Sequence, residues 1–252
     1  MTEQKLTGKL ALVTGAGAGI GASIAEELAL NGATVVINYR NDKQRAETQV
    51  ASITEQGGKA HALQADVEQQ DSVAAMLDTI EQTLAPIDIL ILNAGPPAYW
   101  SLFVDDQQET FENKLLSELR GVFIPARLVA KQMAERGSGS IIGLSSILAR
   151  KTTAGFGAHA VVKAAIEAQL KNMALELGPA GVRVNTVAPS LARTPGSSWV
   201  PEEVYEATAS EAPLGRLCTP EDIAKVVAMV ASDDAAFISG AYIPVNGGLL
   251  ST

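Results

Sequence analysis

The chain has 252 residues, 47% hydrophobic but only 4% aromatic, with one cysteine, two histidines and a formal charge of −9. That length suits one α/β domain over residues 1–252, and the apolar content excludes a disordered chain. The acidic balance argues against nucleic acid or an anionic membrane surface as partner, since both reward clustered lysine and arginine. Cys218 stands alone, so no intrachain disulfide forms, and no run approaches the roughly 18 apolar residues that span a bilayer. His61, His159 and Cys218 are too scattered for a metal-ligand cluster. A soluble, cytoplasmic protein without metal is expected.

In chain order, Leu10–Val13 is an apolar run closed by glycines, and Ile20, Ile24 and Leu28 follow at helical spacing: strand, turn, helix. Residues 33–38 predict a second strand, 42–55 a polar helix and 60–63 a short strand. Residues 72–84 carry the helical stripe Val73, Met76, Leu77, Ile80. A strand over 87–92 stops at Asn93-Ala94-Gly95-Pro96-Pro97. Residues 107–136 predict a long helix in which Pro125 should bend the axis or interrupt the hydrogen bonds. Then come a strand over 141–144, an alanine-rich helix over 154–177 and a strand over 182–187.

Residues 190–213 carry Pro195, Trp199, Pro201 and Pro213 and exceed an ordinary connection in length, which predicts a substrate loop. A helix over 220–231, with Thr219 as N-cap, and a strand over 241–245 complete the pattern. Seven alternations predict a doubly wound Rossmann fold: a seven-stranded, mainly parallel sheet with helices on both faces.

The first turn reads Thr14-Gly15-Ala16-Gly17-Ala18-Gly19-Ile20-Gly21. Glycines between a strand and a helix let the backbone approach a pyrophosphate, whose charge is favoured by the free amides and dipole of the helix N-terminus. Together with Asp66-Val67, Asn93-Ala94-Gly95, Ser145-Ser146, Lys163, Val184-Asn185, Pro189, Thr194, Ile238-Ser239-Gly240 and Asn246-Gly247-Gly248, this turn resembles the short-chain dehydrogenase/reductase family over nearly the whole length, its acyl-carrier-protein ketoreductase-like members in particular. The resemblance implies that Asp66 and Val67 hold an adenine, that Asn93, Ala94 and Gly95 line the cofactor groove beside Pro189, that Lys163 binds the nicotinamide ribose and that Thr194 meets the carboxamide. It also implies a homotetramer or homodimer.

Cofactor choice is set at the end of the second strand, here Asn38-Tyr39-Arg40. No carboxylate repels a 2′-phosphate and Arg40 can pair with one, so NADP is expected, with NAD as the alternative. Ala18, where many NADP users of the family carry a basic residue, supplies no second charge.

The family's serine positions a carbonyl, a tyrosine thirteen residues later transfers the proton, a lysine four further on lowers the tyrosine's pKa, and an upstream asparagine completes a water relay. Ser146 and Lys163 match that pattern, whereas the tyrosine position holds His159 and the asparagine position Glu118. Imidazole, near 6.5, is poised for proton transfer at neutral pH, but an adjacent lysine pushes it toward neutral; Glu118 could offset this by pairing with Lys163 or His159. Three readings stand at this level. One is an NADPH-dependent reductase of a small carbonyl compound with His159 as proton donor. The second is a cofactor-binding family member without turnover, such as a regulatory partner subunit. The third is a non-redox elimination or isomerisation with His159 as base. Pro96, Pro97, Tyr99, Trp100 and Trp199 are candidate substrate contacts.

Overall fold

The computed structural model describes residues 4–250. The described strands are β1 (Leu10–Val13), β2 (Thr34–Tyr39), β3 (Lys59–Gln64), β4 (Ile89–Leu92), β5 (Gly139–Leu144), β6 (Val182–Pro189) and β7 (Tyr242–Val245). They form one seven-stranded sheet in the order β3-β2-β1-β4-β5-β6-β7, every pairing parallel. The helices are α1 (Gly19–Leu30), α2 (Lys43–Glu55), α3 (Gln70–Thr83), α4 (Gln108–Arg136), α5 (Gly157–Leu177), α6 (Glu202–Glu211) and α7 (Pro220–Ala231).

Strands β1 and β4 are apolar at every position because both faces are covered. In β1, Ala11 and Val13 point into the core formed with α1, α2 and α7, while Leu10 and Leu12 point into the core formed with α3, α4 and α5. In β4, Ile89 and Ile91 take the first side and Leu90 and Leu92 the second, as the two-residue period of a strand requires. Strand order reverses between β1 and β4, so the connections after them diverge and leave a crevice at their carboxyl ends.

The helix through Pro125 is one 29-residue element with that proline buried inside it, alongside Val122, Ala126 and Val129. Two expectations need correction. The alanine-rich helix begins at Gly157 rather than at residue 154, because Gly155 takes φ +82°, outside the helical region. Residues 190–213 are not all loop. Pro195–Ser197 form a 3₁₀ turn and α6 follows Pro201, held by buried Tyr205, whose hydroxyl donates to Ser197 O at 2.6 Å. Among the described residues no helix is long and apolar enough to cross a membrane.

Candidate active site

The glycine turn is built by buried side chains from neighbouring strands. Asn38, at the end of β2, accepts from Gly15 N at 3.2 Å and donates to Ala65 O at 3.0 Å. Asn93, just beyond β4, donates to Thr14 O and Gly15 O, and Thr14 Oγ1 accepts the amides of Asn93 and Ala94. Gly15 takes φ +63° and lies against Ala94. A Cβ at Gly21 would come within 2.5 Å of Asn93 Nδ2 and 2.7 Å of Gly15 O. These contacts explain why small residues recur here: the turn is pressed between β4 and α1.

Above it runs a groove of 650 Å³ lined by Gly15, Gly19, Ile20, Gly21, Asn38, Arg40, Arg45, Val67, Glu68, Asn93 to Pro97 and Thr194, among others. Helix α1 opens into it with Ala18 at the N-cap and no side-chain cap, so its first amides remain available to an anion. The cradle and this uncapped N-terminus fit a dinucleotide. Asp66 lines an adjoining 490 Å³ recess with Arg40, Asn41, Gln64 and Ser72. Thr14 and Pro189 are buried in strand ends and Tyr39 packs on the core, so these three shape the groove from behind, and Gly17 lies against Ala46 N and the Arg45 side chain.

Arg40 is exposed and pairs with Glu68 at 3.2 Å, and Glu68 in turn accepts from Ser117 at 2.7 Å. Arg45, on the first turn of α2, is a second basic side chain on the groove. Sequence reasoning looked for that charge at position 18 and missed it on the following helix.

Ser146 follows β5 and its hydroxyl accepts from Leu148 N at 3.2 Å. Its neighbour Ser145 donates to the buried carboxylate of Glu167 at 2.8 Å, which also accepts from Arg150 at 3.0 Å. Glu167 on α5 therefore fixes the turn that presents Ser146. His159 and Lys163 lie one turn apart on α5, and Lys163 Nζ donates to Leu144 O at 2.9 Å.

Glu118, 2% exposed on α4, brings its Oε1 to 2.5 Å from Lys163 Nζ and its Oε2 to 2.7 Å from Lys114 Nζ. Lys114 is 5% exposed and donates to Pro96 O at 2.6 Å and Pro97 O at 3.4 Å. Burial alone would raise the Glu118 pKa, but Lys163 and Lys114 outweigh it and hold the carboxyl at about 2. Burial pushes His159 down to about 3; Lys163 and Lys114 add to that, and Glu118 opposes it without winning. The imidazole is therefore neutral at pH 7, and its Nδ1 is buried with no hydrogen-bond partner among the described residues.

Lys114 was not anticipated. The available signal was its place, with Glu118, Gly121, Val122 and Pro125, in the buried stripe of α4, where charged side chains rarely sit unless paired. The groove's lining reaches Pro97 but does not include Ser146, His159 or Lys163. Trp100, 56% exposed, lies against Gly155, and Phe156 faces Trp199 with ring centroids 6.2 Å apart, so aromatic rings flank the start of α5.

A family model described as enoyl-(acyl carrier protein) reductase matches residues 15–250. The 3-oxoacyl-(acyl-carrier-protein) reductase of Staphylococcus aureus is 36% identical over 241 residues, 96% of this chain and 98% of that protein. A short-chain type dehydrogenase/reductase from Mycobacterium marinum superposes with a TM-score of 0.92 at 31% identity, covering 99% of this chain and 98% of that one. The chain belongs to the short-chain dehydrogenase/reductase family. Another member, a gluconate 5-dehydrogenase from Burkholderia cenocepacia in complex with NADP and tartrate, superposes with a TM-score of 0.91 at 29% identity, over 98% of this chain and 97% of that one. A family of NAD(P)-dependent oxidoreductases accounts for the crevice and the glycine turn together.

Proposed function

We propose that this chain is an NADPH-dependent reductase of a small, apolar carbonyl compound, one cytoplasmic unit over residues 1–252 with residues 190–213 as its substrate loop. The observation that carries this reading is a shared wall. Gly95 and Pro96 line the groove, Gly95 lies against Glu118, Pro96 accepts from Lys114, and Glu118 pairs with Lys163. The dinucleotide groove and Lys163 thereby share one wall, which supports placing Ser146 and His159 beside the cofactor.

The α1 amides and Thr194 would hold the dinucleotide, with Arg40 and Arg45 toward its 2′-phosphate. When bound, the reduced nicotinamide supplies a hydride to the carbonyl carbon. Ser146 donates its hydroxyl hydrogen bond to the carbonyl oxygen. His159 stands at the position of the family's tyrosine and, as a neutral imidazole, keeps one N–H to offer to the same oxygen as negative charge develops. The alkoxide takes that proton, the Lys163 ammonium returns one to the resulting imidazolate, and the lysine regains its own from solvent water. The donor is the neutral ring because the field and burial around His159 disfavour its charged form. Trp100, Phe156 and Trp199 favour an apolar substrate.

Exposed Leu116 and Phe123 on α4, with Val161 and Leu175 on α5, favour a homodimer or homotetramer through these helices, which light scattering tests at micromolar concentration. The functional reading is tested by NADPH oxidation against aryl and alkyl ketones, aldehydes and β-ketoacyl thioesters; no turnover with any of them would remove it. A second reading, cofactor binding without turnover, is favoured by the unpartnered His159 Nδ1: no acceptor orients the ring, as one normally does for a working histidine.

A further inference from the structure

Lys114 is a buried ammonium that neither the glycine turn nor the Ser146/His159/Lys163 cluster explains. A single buried lysine is costly, and one carboxylate suffices to neutralise Lys163. With Lys114 present, Glu118 is shared between two cations and the three side chains carry a net charge of about +1 within reach of His159. Lys114 spends its remaining hydrogen bonds on Pro96 O and Pro97 O, two backbone positions without N–H groups that no strand or helix holds.

Resting on the functional reading above, we propose that Lys114 is a positioning residue: it clamps the Pro96–Pro97 wall of the cofactor groove to α4 and, through Glu118, sets the charge around His159. Its ammonium joins the Pro96 and Pro97 carbonyls of the groove wall to the Glu118 carboxylate. The groups acting on His159 are Lys163 from its own helix and Glu118 and Lys114 from α4; Glu118 lies against Gly95 of the groove wall, and Lys114 hydrogen-bonds to that wall at Pro96 O and Pro97 O. Burial lowers the pKa of Lys114 itself, and Glu118 opposes that, so the pair stands or falls together.

The two roles separate experimentally. Lys114→Met removes both the clamp and the charge; Lys114→Arg keeps the charge. NADPH affinity is read by fluorescence at pH 7.5, and the imidazole by NMR of labelled histidine, where His159 and exposed His61 give the only two signals. Lys114→Met should bind NADPH about tenfold more weakly, and its His159 signal should begin to move about one pH unit higher than in the parent. Lys114→Arg should hold the parent's His159 onset. An unchanged NADPH affinity or an unchanged His159 onset in Lys114→Met overturns the proposal. If Lys114→Met does not fold, Lys114→Met/Glu118→Gln, which removes one charge of each sign, decides it: NADPH should again bind about tenfold more weakly, and a parent-like affinity overturns the clamp. A parent chain that fails to bind NADPH contradicts the functional reading instead, and the histidine comparison still decides the role of Lys114.

Discussion

Glu118 and Lys163 meet at 2.5 Å across the α4–α5 packing, with the other carboxylate oxygen 2.7 Å from Lys114. A single carboxylate thus serves two ammoniums, Lys114 buried and Lys163 half-buried, beside a neutral histidine. Removing it leaves both cations facing each other in a poorly solvated place. Glu118→Gln should therefore destabilise the fold by about 3–5 kcal/mol, the range for breaking a buried ion pair. Urea denaturation at pH 7.5 checks this; a loss below about 1 kcal/mol would mean that water already solvates the triad.

Acid should weaken the fold in two windows. His159 is depressed from 6.5 to about 3, so between those values the unfolded chain binds the proton and stability falls as pH drops. Glu118 is depressed from 4.5 to about 2, so its contribution is present above 4.5 and lost below it. The slope from each group is at most about 1.4 kcal/mol per pH unit. Stability measured at pH 7.5, 6.5, 5.5 and 4.5 should decline below 6.5, and His159→Gln should flatten that part of the curve. An equal slope in both proteins would show that His159 is not held neutral by the fold.

The fold was legible because its signals are local and repeated. Alternating apolar runs and helical stripes predicted all seven strands, and the two-sided burial of Ala11 and Leu12 follows from neighbours the pattern already implied. The glycine turn was legible for the same reason. The charge arrangement was not: Lys114, Glu118 and Lys163 come from two helices, and only their packing makes one carboxylate serve two cations. The family resemblance put Glu118 at the asparagine position, from which it could pair with Lys163, and the ion pair is there; what the resemblance could not show is that burial and a second lysine leave His159 neutral regardless. Arg45 was missed because its nearness to the groove depends on how α2 returns after β2.

Gly21→Ala should damage the cofactor groove more than the fold at large. The new methyl displaces Asn93 Nδ2 and with it the bonds to Thr14 O and Gly15 O that shape the turn. NADPH affinity should fall at least tenfold while the unfolding midpoint shifts by a few degrees. Calorimetry and fluorescence titration on the same sample separate the two effects, and unchanged affinity would show that the turn tolerates the displacement.

Arg40 and Arg45 should share the discrimination between NADPH and NADH. Arg40 is partly neutralised by Glu68, so Arg45 should matter comparably, each alanine substitution reducing the NADPH preference by about tenfold. Parallel titrations with both nucleotides check this. A preference unaffected by either change would place the 2′-phosphate elsewhere.

The most direct test is single-turnover hydride transfer, followed by NADPH absorbance with an apolar ketone in excess, for the parent, His159→Ala and His159→Tyr between pH 5 and 8. The account predicts transfer by the parent with no histidine titration limb in that range, and a rate loss of about 10²-fold or more in His159→Ala. A parent that binds NADPH without transferring hydride, beside a His159→Tyr variant that does transfer it, would contradict the account.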